Sequence, residues 1–183
     1  PFSRILLEKA ISPGDIAIDA TVGNGHDTLY LTKLVGEQGH VYGFDIQEQA
    51  IEQTKKRLIE NQADQQVTLF LKSHDQLTAV LPESSKGKVT AAIFNLGYLP
   101  GGDKGIVTEA NSTISAIEQL LEIMATEGII VLVVYHGHPE GAVEKDELIK
   151  YVTNLPQDRA HVLHYGFMNQ VNAPPFIIAI EKR

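Results

Sequence analysis

Short apolar runs alternate along the chain with stretches in which hydrophobic residues recur every three or four positions. The runs that we assign to strands are 16–19, 39–45, 67–71, 89–96 and 129–135. The periodic stretches that we assign to helices are 2–11, 26–35, 47–61, 75–81 and 110–124, and Gly128 is expected to end the last of them. This alternation predicts an α/β fold in which helices cover both faces of a mostly parallel sheet.

The C-terminal part departs from this alternation. After a predicted helix at 144–154, two further strands are expected at 160–168 and 176–181, joined by the short segment 169–175. Because parallel neighbours need a crossover of a dozen or more residues, strands joined by so short a segment are expected to be antiparallel. We therefore predict seven strands with the last one reversed. No linker-like or repetitive segment interrupts the pattern, so residues 1–183 are expected to form a single domain.

The composition is that of an ordinary soluble protein without cysteine. The 183 residues include 23 Asp and Glu against 15 Lys and Arg, which gives a formal net charge of −8, and 43% are hydrophobic. The lack of cysteine excludes disulfides, thiolate metal sites, iron–sulfur clusters and cysteine nucleophiles. No apolar run reaches the ~20 residues that span a bilayer, and no secretory core is present, so we expect a cytoplasmic protein with no membrane association. The acidic balance lowers the expectation of nucleic-acid binding without excluding it, since a local basic patch matters more than the sum.

A glycine loop stands between the first predicted strand and the helix that follows it. Gly23 and Gly25 would let the backbone approach a ligand there, and a helix N-terminus attracts negative charge. Asp45 ends the second strand 20 positions after Gly25, where a carboxylate can accept both ribose hydroxyls of a nucleoside. Together these features predict a cofactor that contains a nucleoside.

The residues around the loop favour one class of nucleoside cofactor. A dinucleotide fingerprint would carry a third Gly or Ala near position 28, where this chain has Thr28. Asp19, at the end of the first strand, suits a cofactor with a positive ammonium group, which S-adenosylmethionine has and NAD lacks; the alternative is a turn or cap residue. On the first interpretation, the residues around the methionine end of the cofactor would be Thr21, Asn24, His26 and Asp27.

Five segments carry a resemblance to a known family: DATVGNGHDT (19–28), GFDIQ (43–47), SHDQL (73–77), NLGYLPGGD (95–103) and NQVNAPPF (169–176). Through them, essentially the whole chain resembles the small class I methyltransferases described as putative rRNA methylases. The resemblance implies a Rossmann-like sheet of strand order 3-2-1-4-5-7-6 with strand seven antiparallel. It also implies S-adenosylmethionine as the cofactor, and it adds Gln47 to the cofactor-binding residues.

The same resemblance implies a substrate. Members of this family methylate the 5-aminomethyl group of 2-thiouridine at the wobble position of bacterial tRNA. The partner would then be the tRNA anticodon stem-loop.

The fourth predicted strand ends in a segment similar to the Asn/Asp-Pro-Pro-Tyr signature of enzymes that methylate exocyclic nitrogens, with Leu-Gly in place of Pro-Pro. Asn95 could accept a hydrogen bond from an amine and aim its lone pair at the methyl group, which also places Asn95 beside the cofactor. Tyr98 could stack on the base, and Gly101 and Gly102 would leave room for a planar substrate. The alternative is a glycine-rich turn with a surface tyrosine.

His136 and His138 follow the fifth predicted strand and are candidates for a base that takes the proton of an amine. They could equally only hydrogen-bond the loop or the RNA backbone. Their spacing would suit a metal, but no third ligand is evident in the sequence, so no metal is predicted. Because methylation at C5 of a pyrimidine usually starts with a cysteine, and radical chemistry needs a cysteine-bound cluster, the acceptor is expected to be nitrogen or oxygen.

Two further segments hold candidate binding residues. Asp75, with His74 beside it, is expected to accept a hydrogen bond from the adenine amino group, or else this segment is a helix cap. The resemblance alone assigns a substrate-facing role to Asn169, Gln170 and Asn172, which a turn explains equally well.

Several functions stay open. We prefer N-methylation of the tRNA wobble uridine after base flipping; the alternatives are a small-molecule amine or hydroxyl, or rRNA, as the acceptor. A nicotinamide oxidoreductase is contradicted by Thr28 and Asp19, and a non-catalytic nucleoside-binding subunit would tolerate the loss of Asn95. Since no separate RNA-binding domain is evident, a homodimer would enlarge the positive surface, and we expect one.

Overall fold

The computed structural model describes residues 2–99 and 101–183. In this part of the chain the seven strands are β1 (Ile16–Asp19), β2 (His40–Asp45), β3 (Val67–Leu71), β4 (Val89–Leu96), β5 (Met124–Val134), β6 (Ala160–Tyr165) and β7 (Phe176–Lys182). The α-helices are α1 (Phe2–Ala10), α2 (His26–Val35), α3 (Glu48–Glu60), α4 (Leu77–Val80), α5 (Ala110–Ile123) and α6 (Pro139–Thr153). Short 3-10 turns lie at Asp64–Gln66, His74–Gln76 and Glu83–Ser85.

The strands form one sheet in the order β3-β2-β1-β4-β5-β7-β6. All neighbours are parallel except the two pairs that involve β7, which runs antiparallel to β5 and to β6. The predicted sheet with a reversed last strand is therefore confirmed. The order changes direction between β1 and β4, so loops that leave the carboxyl ends of these strands diverge and open a crevice.

Helices cover both faces of the sheet, which explains why its central strands are apolar without alternation. In β4, Ala92 and Phe94 pack into the hydrophobic cluster under α5 and α6, whereas Ala91 and Ile93 pack into the cluster under α1 and α2. Every position of such a strand meets a helix layer. The periodic apolar stretch predicted at 110–124 forms α5, which faces the first of these clusters.

The boundary between α5 and β5 differs from the prediction. The helix ends at Ile123, and β5 begins at Met124, well before the glycine that was expected to end the helix. Met124 pairs with Val89 of β4, after which the register shifts, and Glu127 adopts a positive φ of 64° in the extra residues. Pairing with β4 thus overrides the helical spacing at the end of α5.

The strand and helix at the other end of the sheet also differ in length from the prediction. Helix α6 begins at Pro139 rather than at residue 144, with His138 as its N-cap residue. Proline suits the first turn of a helix because its missing N–H has no intrahelical partner there. Strand β6 ends at Tyr165, three residues before the predicted end at 168. None of the helices in the described ranges is long and apolar enough to cross a bilayer.

Candidate active site

A cleft of about 890 Å³ lies at the carboxyl ends of the parallel strands. Its walls are the loops that follow β1, β2, β3, β4 and β5, together with Ala173 from the β6–β7 connection. Most of the residues predicted from the sequence line it: Thr21, Gly23, Asn24, His26, Asp27, Asp45, Gln47, His74, Asp75, Asn95, Tyr98, His136 and His138. A cleft of this size is typical of a site for a small molecule or cofactor.

The remaining predicted residues do not line the cleft. Gly25 faces α3, where an added Cβ would lie 2.5 Å from Thr54 Oγ1, so this glycine serves helix packing. Asp19 is completely buried behind the loop. The others lie in flanking loops outside the cleft lining: Gly101, Gly102, Asn169, Gln170 and Asn172.

The glycine loop is held by its contacts with β2 and α3. Asp45 Oδ2 accepts a hydrogen bond from the Gly23 N–H at 2.9 Å, and Asp45 Oδ1 accepts one from the Gln47 N–H at 2.9 Å. On the other side, Arg57 Nε donates to the Asn24 carbonyl at 2.8 Å. Gly23 and Gly25 have φ values of 55° and 78°, which glycine adopts without steric cost. The loop therefore has a defined shape, with the Asp45 carboxylate at the edge of the cleft.

The buried Asp19 binds both ends of the glycine loop on the side away from the cleft. Its Oδ2 accepts from the Thr28 hydroxyl at 2.7 Å, and its Oδ1 accepts from the Thr21 N–H at 3.2 Å. Thr28 thus stands where a dinucleotide fingerprint has a glycine, and its hydroxyl donates a hydrogen bond to the Asp19 carboxyl group. Burial raises the pKa of Asp19 to about 7; the hydrogen bond from Thr28 opposes the rise, and the neighbouring Asp27 adds to it.

The raised pKa of Asp19 predicts a pH-dependent stability. The folded protein holds the Asp19 proton up to about pH 7, whereas an unfolded Asp releases it near 3.8. The contribution of protonated Asp19 to the free energy of unfolding is therefore fully present below the unfolded pKa, and it is lost as the pH rises through the folded pKa. Relative to Asp19→Asn, the wild-type free energy of unfolding should fall by up to about 4 kcal/mol between pH 4 and pH 8. Urea unfolding of both proteins across this range measures the difference, and a difference that stays constant would contradict the assignment.

Asn95, at the end of β4, is held at two points. Its N–H donates to Thr21 Oγ1 at 2.7 Å, and its side-chain Nδ2 donates to Asp27 Oδ2 at 2.9 Å. Asp27 Oδ1 in turn lies 3.7 Å from a guanidinium nitrogen of Arg4 in α1. Within the described residues, Oδ1 of Asn95 has no hydrogen-bond partner, so the cleft is lined by a rigidly held asparagine with a free acceptor oxygen.

The segment after Asn95 is a closed loop that carries Tyr98. The Gly97 N–H donates to Thr108 Oγ1 at 2.9 Å, the Thr108 N–H donates to the Gly97 carbonyl at 3.0 Å, and Tyr98 forms a β-bridge with Val107. The exposed Tyr98 ring contacts the His138 ring edge-on, with centroids 5.6 Å apart. These contacts join the two ends of the loop, which therefore holds the Tyr98 side chain at the cleft.

A buried glutamate that no sequence motif singled out anchors this loop. Glu144 in α6 is 3% exposed and accepts from the hydroxyls of Thr108 at 2.6 Å and Thr113 at 3.0 Å. Burial raises the pKa of Glu144, and the two threonine hydrogen bonds oppose the rise. The signal was available, because Gly141, Glu144 and Leu148 occupy one face of α6 with the spacing of core positions.

Removal of the Glu144 carboxylate should loosen the loop. In Glu144→Ala, two buried or half-buried threonine hydroxyls lose their acceptor, so we expect the free energy of unfolding to fall by about 2–4 kcal/mol. Glu144→Gln keeps one acceptor oxygen and should lose less. Glu147→Ala, an exposed position in the same helix, is the control, and denaturant midpoints measure all three. Equal midpoints for Glu144→Ala and Glu147→Ala would contradict the anchoring role.

The two histidines after β5 differ in their contacts. His136 Nε2 lies 3.0 Å from the Pro174 carbonyl, to which it donates, and its ring packs edge-on against Phe176. His138 Nε2 is buried and has no hydrogen-bond partner in the described part of the chain. His136 therefore ties β5 to the β6–β7 connection, whereas His138 keeps a nitrogen unused beside Tyr98.

At the opposite end of the cleft, two further polar atoms lack partners. His74 Nδ1 donates to the Ala20 carbonyl at 2.9 Å, and burial lowers the pKa of His74, so its Nε2 is an acceptor. Nε2 of His74 and Oδ1 of Asp75 are both buried without a hydrogen bond among the residues described. Ser73, at the N-cap of this turn, makes no side-chain capping bond. Since buried polar atoms are normally paired, these acceptors fit a ligand that donates hydrogen bonds, such as an adenine amino group.

Metal binding finds no such support. In residues 2–99 and 101–183, no group of three or more His, Asp or Glu side chains is placed to hold a metal ion.

The sheet order, the antiparallel β7 and the cleft beside the glycine loop define the class I S-adenosylmethionine-dependent methyltransferase fold. More narrowly, the chain belongs to the family described as putative rRNA methylase, whose model matches residues 41–181. The family resemblance seen in the motifs is thereby confirmed.

Named relatives agree with this assignment. The chain is 36% identical over 188 residues to a chloroplastic tRNA (mnm(5)s(2)U34)-methyltransferase of Arabidopsis thaliana, which covers 98% of this chain and 68% of that protein. A structure of a putative rRNA-methylase from Clostridium thermocellum is 38% identical, with a TM-score of 0.95 over 100% of this chain and 96% of that chain. A putative methyltransferase from Streptococcus mutans, solved in complex with SAH, is 37% identical, with a TM-score of 0.89 and the same coverage.

Proposed function

We propose that this protein transfers a methyl group from S-adenosylmethionine to the nitrogen of the 5-aminomethyl group on (2-thio)uridine at the tRNA wobble position. The observation that carries the proposal is the Asn95 side chain, which is held at the cleft with an unpaired acceptor oxygen. An acceptor at this place suits a substrate with an N–H to donate. The named tRNA methyltransferase of Arabidopsis, similar over nearly the whole chain, supports tRNA as the source of that amine.

The cofactor would lie across the glycine loop. Each Asp45 oxygen already accepts one backbone N–H, but a carboxylate has about four lone-pair sites, so two remain for the ribose hydroxyls. Asp75 Oδ1 would accept from the adenine amino group. The methionine end would contact Thr21, Asn24 and His26, and Gln47 would lie beside the ribose. When bound, S-adenosylmethionine supplies an electrophilic methyl group on a sulfonium.

Residues of the chain would then orient the acceptor amine. Asn95 Oδ1 accepts one N–H and leaves the nitrogen lone pair directed at the methyl group. Such alignment can lower the activation barrier by ~7–11 kcal/mol. A nitrogen–carbon bond forms, the carbon–sulfur bond breaks, and the amine loses one proton. We assign His138 rather than His136 as the candidate acceptor of that proton. His136 Nε2 already donates to the Pro174 carbonyl, whereas His138 Nε2 has no hydrogen-bond partner among the described residues. Tyr98 would stack on the uracil ring.

The test is methyl transfer from labelled S-adenosylmethionine to bacterial tRNA that lacks its own wobble methylation, followed by nucleoside mass spectrometry. A gain of one methyl on 5-aminomethyl-2-thiouridine is the expected result. If the cofactor binds but no tRNA nucleoside changes, the proposed substrate is wrong, and rRNA and small amines or hydroxyls are tested next. The tRNA substrate also leads us to infer that the enzyme works in the cytoplasm. Because all seven strands belong to one sheet, we further infer that residues 1–183 act as one domain.

We further propose that the protein is a homodimer. β6 is an edge strand of the sheet, and exposed apolar side chains continue from it into the β6–β7 connection: Leu163, Tyr165, Phe167, Met168 and Val171. An edge strand with an apolar surface is a site where another chain can pack. A second copy there would also enlarge the surface that is available to a tRNA substrate.

Light scattering should accordingly give twice the monomer mass. The double variant Phe167→Ser/Val171→Ser removes exposed apolar surface and should shift the equilibrium toward monomer. Ile59→Ser, at an exposed position of α3 far from β6 along the sheet, should leave the mass unchanged. A wild-type monomer at micromolar concentration would contradict the homodimer.

A further inference from the structure

We infer that Asp27 is a positioning residue, which sets the orientation of the Asn95 side-chain amide so that its oxygen, and not its nitrogen, faces the acceptor amine. This inference rests on the proposed function. It goes further because it gives Asp27, in the first turn of α2, a role in the reaction instead of a contact with the cofactor. The observation is the hydrogen bond of 2.9 Å from Asn95 Nδ2 to Asp27 Oδ2.

The orientation matters because the two ends of an amide have nearly the same shape and opposite hydrogen-bonding character. With the oxygen toward the substrate, Asn95 accepts an amine N–H and leaves the nitrogen lone pair available. With the NH₂ toward the substrate, Asn95 would donate to that lone pair and compete with the methyl group for it. Because the two orientations fill nearly the same space, shape does not distinguish them, and a neighbouring polar group has to set the orientation of the amide.

A carboxylate makes this choice unambiguous. An ionised Asp accepts hydrogen bonds and has none to donate, so the Asn95 NH₂ has to point toward Asp27. The Asn95 backbone is fixed separately, through its N–H bond of 2.7 Å to Thr21 Oγ1. Arg4 lies 3.7 Å from the other oxygen of Asp27, so the same carboxylate contacts a guanidinium on one side and the Asn95 amide on the other. Thr21 therefore fixes the Asn95 backbone and Asp27 fixes its side-chain amide, with Arg4 on the far side of the Asp27 carboxylate.

A purely structural role for Asp27 is the competing explanation. An acidic residue in the first turn of a helix interacts favourably with the helix dipole, and Asp27 occupies that turn of α2. Such a role would lower stability when Asp27 is replaced, but it would not depend on what side chain stands at position 95. Coupling between the two positions therefore separates the explanations.

The kinetic test compares four proteins: wild type, Asp27→Ala, Asn95→Ala and the double variant. We expect Asp27→Ala to lower kcat about tenfold in the wild-type background and less than about twofold when Asn95 is already alanine. The affinity for S-adenosylhomocysteine, measured by calorimetry, should change less than about threefold in Asp27→Ala. Glu52→Ala, which removes an exposed carboxylate from α3, is the control and should match wild type in each measurement.

A spectroscopic test needs no substrate. In ¹⁵N NMR spectra, the Asn95 side-chain amide pair is identified by its loss in Asn95→Ala. It should shift in Asp27→Ala, because the carboxylate acceptor is gone, and stay in place in Glu52→Ala. The inference is overturned if this amide pair does not move, if Asp27→Ala costs the same factor in both backgrounds, or if it weakens S-adenosylhomocysteine binding tenfold. Wild-type activity on tRNA tests the proposed function separately, so the two can fail independently.

Discussion

Replacing Asn95 by alanine is expected to lower kcat for methyl transfer to tRNA by about 100-fold. The variant loses the acceptor oxygen that would hold the amine, and the nitrogen is then free to turn away from the methyl group. Displacement at a methyl carbon needs the nucleophile, carbon and leaving group in line, so a loss of alignment acts on kcat more than on the KM for tRNA. Single-turnover measurements at saturating cofactor report this step directly.

The controls for Asn95→Ala separate chemistry from folding. Asn154→Ala removes an exposed asparagine after α6 and should retain full activity. The Asn95→Ala protein should unfold close to the wild-type midpoint and should still bind S-adenosylhomocysteine. Undiminished methyl transfer by Asn95→Ala would instead point to an acceptor that needs no oriented amine, or to a site elsewhere on the chain.

Replacing Asp45 by alanine should weaken cofactor binding by about 100-fold. Hydrogen bonds to a charged acceptor contribute about 1.5–3 kcal/mol each, and two ribose hydroxyls would lose theirs. A loss near 3 kcal/mol corresponds to about two powers of ten in Kd. The Gly23 N–H, which lies 2.9 Å from Asp45 Oδ2, would also lose its acceptor, so part of the effect is a less ordered glycine loop.

Calorimetry with S-adenosylhomocysteine measures the Asp45 effect, and thermal unfolding checks that the fold persists. Asp45→Asn keeps the shape but only one acceptor oxygen, so its affinity should lie between those of wild type and Asp45→Ala. Asp64→Ala removes an exposed carboxylate before β3 and should bind normally. An unchanged affinity in Asp45→Ala would contradict the ribose assignment while leaving the fold untouched.

Unpaired acceptor atoms lie on two sides of the cleft. At the β3 side, His74 Nε2 and Asp75 Oδ1 are buried acceptors without partners in the described chain. At the β4 side, Asn95 Oδ1 is a further unpaired acceptor beside an exposed Tyr98 ring. Acceptors at both ends suit two ligands that donate from amino groups, with a methyl transfer between them.

The sequence by itself determined the architecture and most of the cleft lining. The helices follow from a hydrophobic period of 3.6 residues and the strands from short, nearly continuous apolar runs, and both are local properties. The reversal of β7 follows from the short connection 169–175. The positions of Asp45 and Asn95 at strand ends follow too, because the carboxyl ends of parallel strands meet at one edge of the sheet.

Tertiary structure decided what the individual side chains do. Asp19 and Asp45 both end strands, yet only Asp45 reaches the cleft, because Thr28 and the loop enclose Asp19. The anchoring role of Glu144 depends on Thr108, 36 residues away along the chain. The orientation of Asn95 depends on Asp27, 68 residues away. Hydrogen bonds between such distant residues are set by strand register and helix packing, and no local pattern in the sequence encodes which partner each polar atom will meet.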